Sequence, residues 1–209
     1  MSEQKVKFQI TVSADGYMAG PDQGPENPLG AGGMALHDWM FSVEDVESTP
    51  SGVLVEYGVR AAGATIMGRN MFGGGPGPWD EDWTGWWGDD PPFHHPVFVL
   101  TKHPRESVEM DGGTTYHFVT DGIESALKQA RAAAGEKDVI IGGGAQTAQQ
   151  FLVAGLVDEF FLTIAPLILG DGERLLDGID PAQLRVAQEE VFEGNGVTHV
   201  RYRVLPRPS

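Results

Sequence analysis

Apolar and polar residues alternate from Val6 to Val12, the period of a half-buried strand, and Ala14-Asp15-Gly16 closes the run with turn chemistry. Gly20 to Gly33 is dense in glycine and proline and predicts a mobile loop inside one domain. Helical stretches follow over about Leu36–Val46 and Ser51–Ala62, where Val53, Leu54, Tyr57 and Ala61 recur at helical spacing. Ala64–Met67 is a short apolar run, read as a buried strand, and Gly68-Arg69 opens another helix. Val97–Leu100 and Thr114–Val119 read as strands, and Gly122–Ala134 as an Ala-rich amphipathic helix. Asp138–Ile141 is a buried strand that ends in Gly142-Gly143-Gly144, with a helix from about Ala145 to Ala154. Strands over Val157–Ile164, Arg185–Phe192 and Val197–Val204 complete the pattern, with Gly194-Asn195-Gly196 as a hairpin turn.

Strands alternating with helices, then a hairpin, predict an α/β fold. Its central sheet is mainly parallel and flanked by helices, with an antiparallel C-terminal hairpin, in one domain over 1–209. Ligands of such sheets sit beyond the carboxyl ends of the strands. The turns to inspect are therefore 13–20, 68–71, 101–105 and 142–147.

Composition narrows the partners. The 209 residues suffice for a large core, and 41% hydrophobic with 21% charged residues is ordinary globular usage. No apolar stretch has the length of a membrane span, and the first strand begins with no signal-peptide core ahead of it. Zero cysteines exclude disulfides and thiolate metal sites and fit a reducing cytosol, so a soluble cytoplasmic protein is expected. Fourteen basic against thirty acidic residues give a formal charge of −16, which repels nucleic acid and anionic membranes. A small-molecule substrate is the expected partner. Any phosphorylated ligand needs a local basic pocket, so Lys and Arg near glycine-rich turns carry weight.

Three turns qualify. Gly142-Gly143-Gly144 follows a buried strand, and the helix opening at Ala145-Gln146-Thr147 offers free N–H groups and a positive dipole end, which suit a pyrophosphate. Thr147 stands where the Rossmann fingerprint requires glycine, and no Gly-Lys-Ser/Thr of a Walker loop follows. A tight turn without a ligand is the alternative. Gly68-Arg69-Asn70 repeats the arrangement with a guanidinium at the helix start, able to bond phosphate oxygens or to pair with a surface acid. Leu100-Thr101-Lys102-His103-Pro104-Arg105 gathers three basic groups, suited to the 2′-phosphate of NADPH or to neighbouring carboxylates.

Taken in order, the pieces resemble the dihydrofolate-reductase-like superfamily, and within it the reductase domain of riboflavin biosynthesis and its stand-alone relatives. They are Ser13-Ala14-Asp15-Gly16-Tyr17-Met18-Ala19-Gly20, Ile66-Met67-Gly68-Arg69, Val97–Thr101, Ile141–Gly144, Leu156–Glu159 and Ile164–Gly172, spanning about residues 5–204. The resemblance implies an NADPH-binding fold with Gly68, Arg69 and Asn70 and the 142–147 turn beside the pyrophosphate. Leu100, Thr101 and Lys102 would lie near the 2′-phosphate. Ala14, Met18, Ala19 and Gly20 would belong to a mobile loop beside the nicotinamide. It also implies a homodimer. The zinc deaminase ligands that riboflavin enzymes often carry are missing, and the Trp-rich segment 73–92 has no counterpart in the pattern.

Two carboxylates are candidate proton donors. Asp38 follows the glycine-rich loop beside Trp39, about where the resemblance puts a pocket carboxylate, and desolvation by an indole would raise its pKa. Asp15 is the other, although Asp-Gly at a strand end is commonly a turn. Trp79, Trp83, Trp86 and Trp87 interleave with five acids, either as a lid that stacks on a flat substrate or as a loop packed on its own domain or a second subunit. His94, His95 and His103 show no metal-ligand spacing. The expected activity is NADPH-dependent reduction of a small heterocycle, nearest to 5-amino-6-(5-phosphoribosylamino)uracil reductase. A binding or sensing protein without turnover, dihydrofolate reduction and a ligand-free scaffold are the alternatives.

Overall fold

The alternation at the N-terminus forms β1 (Val6–Ser13), which sends Val6, Phe8, Ile10 and Val12 to one face of the sheet. The computed structural model describes residues 4–24, 26–42, 49–59 and 61–206. Along the chain follow β2 (Tyr17–Ala19), a 3-10 turn at Gly33–His37, α1 (Asp38–Phe41), α2 (Pro50–Val59), β3 (Ala64–Gly68) and α3 (Arg69–Phe72). Then come β4 (Pro96–Leu100), β5 (Val108–Glu109), β6 (Thr115–Val119), α4 (Ile123–Ala134), β7 (Val139–Gly143) and α5 (Ala145–Ala154). The chain ends with β8 (Glu159–Ala165), β9 (Glu173–Arg174), β10 (Val186–Gly194) and β11 (Val197–Val204).

Nine strands form one sheet in the order β10-β11-β8-β1-β7-β3-β4-β6-β5. Every neighbour pair from β8 through β6 is parallel, and the β5, β10 and β11 pairings are antiparallel. The hairpin closes on Asn195-Gly196, both at positive φ, as a two-residue turn requires. One face of the sheet carries α4 and α5, whose Ala126, Ala130, Ala148 and Phe151 pack on Phe8, Ile66 and Ile141. Small residues let helix and sheet approach closely, and each fully buried Phe or Ile adds about 1.5–3 kcal/mol. The other face holds two smaller clusters, one around Leu36, Trp39 and Phe161, the other around Phe72, Val99 and Tyr116.

Between those clusters β1 presents Lys7, Gln9, Thr11 and Ser13. Lys7 is buried at the amino ends of the strands, 2.6 Å from Asp138 and 3.3 Å from Glu159. Removing one partner of such a buried pair costs about 3–5 kcal/mol.

Two helices differ from the sequence reading. The stretch expected at 36–46 starts early, as the 3-10 turn after left-handed Gly32, with no side-chain cap, and α1 proper spans only Asp38–Phe41. Residues 43–48 lie outside the described set. In α2 Leu54 is buried, whereas Val53 is 56% exposed, because adjacent helical positions point about 100° apart. The short strands β2, β5 and β9 were not anticipated.

From β3 the chain moves on to β4, and from β7 it moves the opposite way to β8. Helices α3 and α5 leave on opposite faces, so a crevice opens beyond the ends of β3 and β7.

Candidate functional site

Both glycine-rich turns open into that crevice. Gly68 ends β3 in extended conformation, and a Cβ there would meet Thr147 Oγ1 at 2.4 Å, so only glycine lets α5 seat against β3. A Cβ on Gly142 would press Met71 at 3.2 Å, while one on Gly144 would meet nothing. The backbone at Gly144 therefore faces open space. The Gly143–Gly144 peptide is cis. No side chain caps α5, so the first-turn N–H groups of Ala145 and Gln146 have no intrahelical acceptor. Ala145 and Thr147 are buried and Gln146 is exposed.

Arg69 starts α3 at the other wall. Its guanidinium lies 3.6 Å from the centroid of the Trp79 ring, and Nε, Nη1 and Nη2 are all buried, with no hydrogen-bond partner among the described residues. Burial pushes its pKa down, yet an arginine stays charged. A buried cation with no acceptor fits an anionic ligand, and phosphate oxygens match its donors. Asn70, next along α3, is exposed.

The basic turn after β4 divides its duties. The Arg105 side chain is only 3% exposed; it donates to the carbonyls of Trp83 at 2.7 Å and Glu81 at 2.6 Å and pairs with the Glu81 carboxylate. The His103 carbonyl accepts from Trp79 Nε1 at 2.8 Å, and its N–H donates to Thr101 Oγ1 at 3.1 Å. Lys102 stays exposed, with no side-chain partner among the described residues, and Leu100 and Thr101 are half-buried below it. Of the three basic residues, Arg105 is committed to the Trp-rich segment and Lys102 is exposed.

At the end of β1 the expected mobile loop is a braced ribbon. Asp15 accepts from Ser13 Oγ at 2.6 Å and from the N–H groups of Leu169 at 3.1 Å and Gly170 at 2.7 Å. These bonds, that from Ser13 foremost, hold its pKa at about 2. A carboxyl so acidic is unsuited to donate a proton near neutrality. Ala14 is exposed, its N–H bonded to the Leu167 carbonyl at 2.8 Å. Strand β2 pairs with β9, the Arg174 guanidinium stacks 3.9 Å from the Tyr17 ring, and Met18 packs on the main core. Ala19 is buried, and Gly20 donates to the Leu29 carbonyl at 2.9 Å.

Asp38 also departs from expectation. It is exposed, while Trp39 turns inward and donates from Nε1 to Thr11 Oγ1 at 3.1 Å. Consecutive residues of α1 face different ways, so the indole does not desolvate the carboxyl. The sequence reading also missed the polar row of β1, where the buried Gln9 Oε1 has no partner among the described residues and Thr11 sits in register with Thr163. Its signal was the alternation itself, since Lys7, Gln9, Thr11 and Ser13 are the polar half of the period.

The Trp-rich segment packs on its own domain. Trp79, Trp83 and Trp87 join the cluster of Phe72, Phe93 and Tyr116, and Trp83 Nε1 donates to the Phe72 carbonyl at 3.1 Å. Among the described residues no helix is long and apolar enough to cross a membrane.

The same chain layout is found in known proteins. Uncharacterized protein YyaP of Bacillus subtilis (strain 168) is 34% identical over 86 residues, and the match spans less than half of either chain, 41% of this one and 45% of YyaP. A putative riboflavin biosynthesis protein from Shewanella sp. PV-4 superposes with TM-score 0.65 at 23% identity, over 97% of this chain and all of that one. Dihydrofolate reductase from Enterococcus faecalis, complexed with NADP(H), superposes with TM-score 0.53 at 16% identity, over 98% of this chain and 99% of that one. These likenesses give the fold as dihydrofolate-reductase-like. The family model of the RibD C-terminal domain matches residues 4–200, and the chain belongs to that family.

Proposed function

We propose that the protein is an NADPH-dependent reductase of a small heterocyclic substrate, nearest in kind to 5-amino-6-(5-phosphoribosylamino)uracil reductase. The observation that carries this reading is the buried, unpartnered guanidinium of Arg69 beside the open backbone of Gly144. Arg69 would bond the pyrophosphate from one wall of the crevice, and the N–H groups of Ala145 and Gln146 from the other. Gly68, Gly142 and Gly143 keep those walls close, Thr147 wedges them, and Asn70 borders them at the rim. Lys102, above Thr101 and Leu100, would meet a 2′-phosphate as a point charge. Ala14, Met18, Ala19 and Gly20 would form the edge beside the nicotinamide.

NADPH, when bound, supplies a hydride at its nicotinamide ring. The chain's contribution is to bind, orient and exclude water. The Asp15 bonds hold the β2–β9 ribbon over the end of β1, so Asp15 is a positioning residue. On the polar row of β1, Thr11 would fix Trp39, and Ser13 would fix Asp15 and Tyr17, in the wall of the pocket. Asp38 is the remaining candidate for the proton, delivered from a solvated position. A homodimer in the cytoplasm completes the reading.

Substrate-dependent loss of the dihydronicotinamide absorbance tests turnover. Pyrimidine and pterin substrates should oxidise NADPH in the presence of the protein; binding without oxidation would leave a sensor. Lys102→Ala should narrow the preference for NADPH over NADH by about tenfold, one charge-assisted contact. An unchanged preference would put the 2′-phosphate elsewhere.

A further inference from the structure

Trp79 is unusual among the four indoles of its segment. Trp83 and Trp86 pack edge to face on each other, and Trp87 packs likewise on Phe93. Trp79 also has edge contacts, but it alone of the four presents its ring to the Arg69 guanidinium, at 3.6 Å, closing it from solvent without giving it an acceptor. An indole face attracts the cation but leaves all its N–H donors unsatisfied.

The backbone on either side of Trp79 is asymmetric. Ahead of it Gly75 and Gly77 adopt positive φ, with open space where a Cβ would stand. Behind it Arg105 grips the Glu81 and Trp83 carbonyls, and Trp83 anchors to Phe72. The indole thus sits where a glycine-rich stretch meets a turn anchored by side-chain bonds. It is held by its Nε1 bond to the His103 carbonyl, by edge contacts with Phe72 and Phe118, and by the Arg105 guanidinium 5.5 Å from its ring centroid.

We propose that Trp79 is the displaceable cover of the Arg69 anion site, and that it determines which anions reach the site. The inference rests on the reading of Arg69 as a phosphate ligand and adds that the ligand must evict an indole. A ligand that brings two adjacent phosphates satisfies several Arg69 donors at once and replaces the lost stack; a chloride or a single carboxylate satisfies too few. The cover selects for pyrophosphate-bearing ligands and keeps the cation from pairing with the many acids of this chain.

The test uses the full chain labelled with 5-fluorotryptophan, which gives five fluorine resonances, one per tryptophan. The Trp79 signal is assigned by its loss in Trp79→Phe, and inorganic pyrophosphate is the probe, with calorimetry in parallel. The Trp79 resonance should move along the calorimetric binding curve while that of Trp39, hydrogen-bonded to Thr11 on β1, stays in place. Arg69→Gln should abolish both responses. Trp79→Ala should bind pyrophosphate roughly 2- to 30-fold more tightly, the range of a cation–π contact released. Pyrophosphate binding with the Trp79 signal unmoved, or an equal or weaker affinity in Trp79→Ala, would overturn the cover and leave the anion site standing. Absence of pyrophosphate binding at millimolar concentration would remove the anion site and the cover together.

Discussion

Asp15 and Arg69 are opposite solutions to placing a charge. Asp15 gathers one hydroxyl and two backbone donors, and its carboxyl titrates at about 2 where 3.8 is ordinary. Its folded pKa lies below the unfolded one, so the stability it contributes is fully present above 3.8 and is lost as the pH falls towards 2. Asp15→Asn should therefore melt below the wild type at neutral pH, with the gap closing over that acid window; a gap independent of pH would mean that the charge does not brace the ribbon. Arg69 has no such partners among the described residues, and under the proposed function a ligand would match its charge. Its place at a strand end was legible because a guanidinium directly follows a buried strand and a glycine. The loss of Arg105 to the Trp-rich segment was not, because three basic residues in four positions do not say which way each side chain turns. The exposure of Asp38 was hidden for the same reason.

Among elements, the contact between β3 and α5 fixes the width of the crevice. In Gly68→Ala the new methyl would stand 2.4 Å from Thr147 Oγ1 but 3.7 Å from Thr147 Cβ. The variant should lose about 1–3 kcal/mol of stability and bind NADPH more weakly, as overpacking forces α5 off the strand. Adding Thr147→Ala removes the clashing atom and should restore most of the stability, measured by denaturant unfolding. No rescue would show that the strain lies elsewhere. The parallel strands and the terminal hairpin were readable from apolar runs and from Asn195-Gly196. The β2–β9 ribbon was not, since strands of three and two residues carry no periodicity; only tertiary bonds such as that from Gln149 to the Arg174 carbonyl make it visible.

For the whole molecule, a formal charge of −16 opposes any phosphorylated ligand. Under the proposed function, affinity would come from the strand ends where the backbone is open and where Arg69 and Lys102 have no anionic partner among the described residues. The topology supplies that arrangement, since β7, later in the chain than both, lies between β1 and β3 and brings its glycines beside Gly68. The order of strands in the sheet is a property of the complete chain. The sequence predicts a mainly parallel sheet with a terminal hairpin but no order of its strands.

The most direct measurement is a calorimetric titration of NADPH into the wild type and into Arg69→Ala, with thermal unfolding of both as the control for folding. The account predicts one saturable site per chain in the wild type and an affinity lower by about tenfold or more in the variant, at similar thermal stability. Absence of saturable binding in the wild type, or equal affinities in the two proteins, would contradict it.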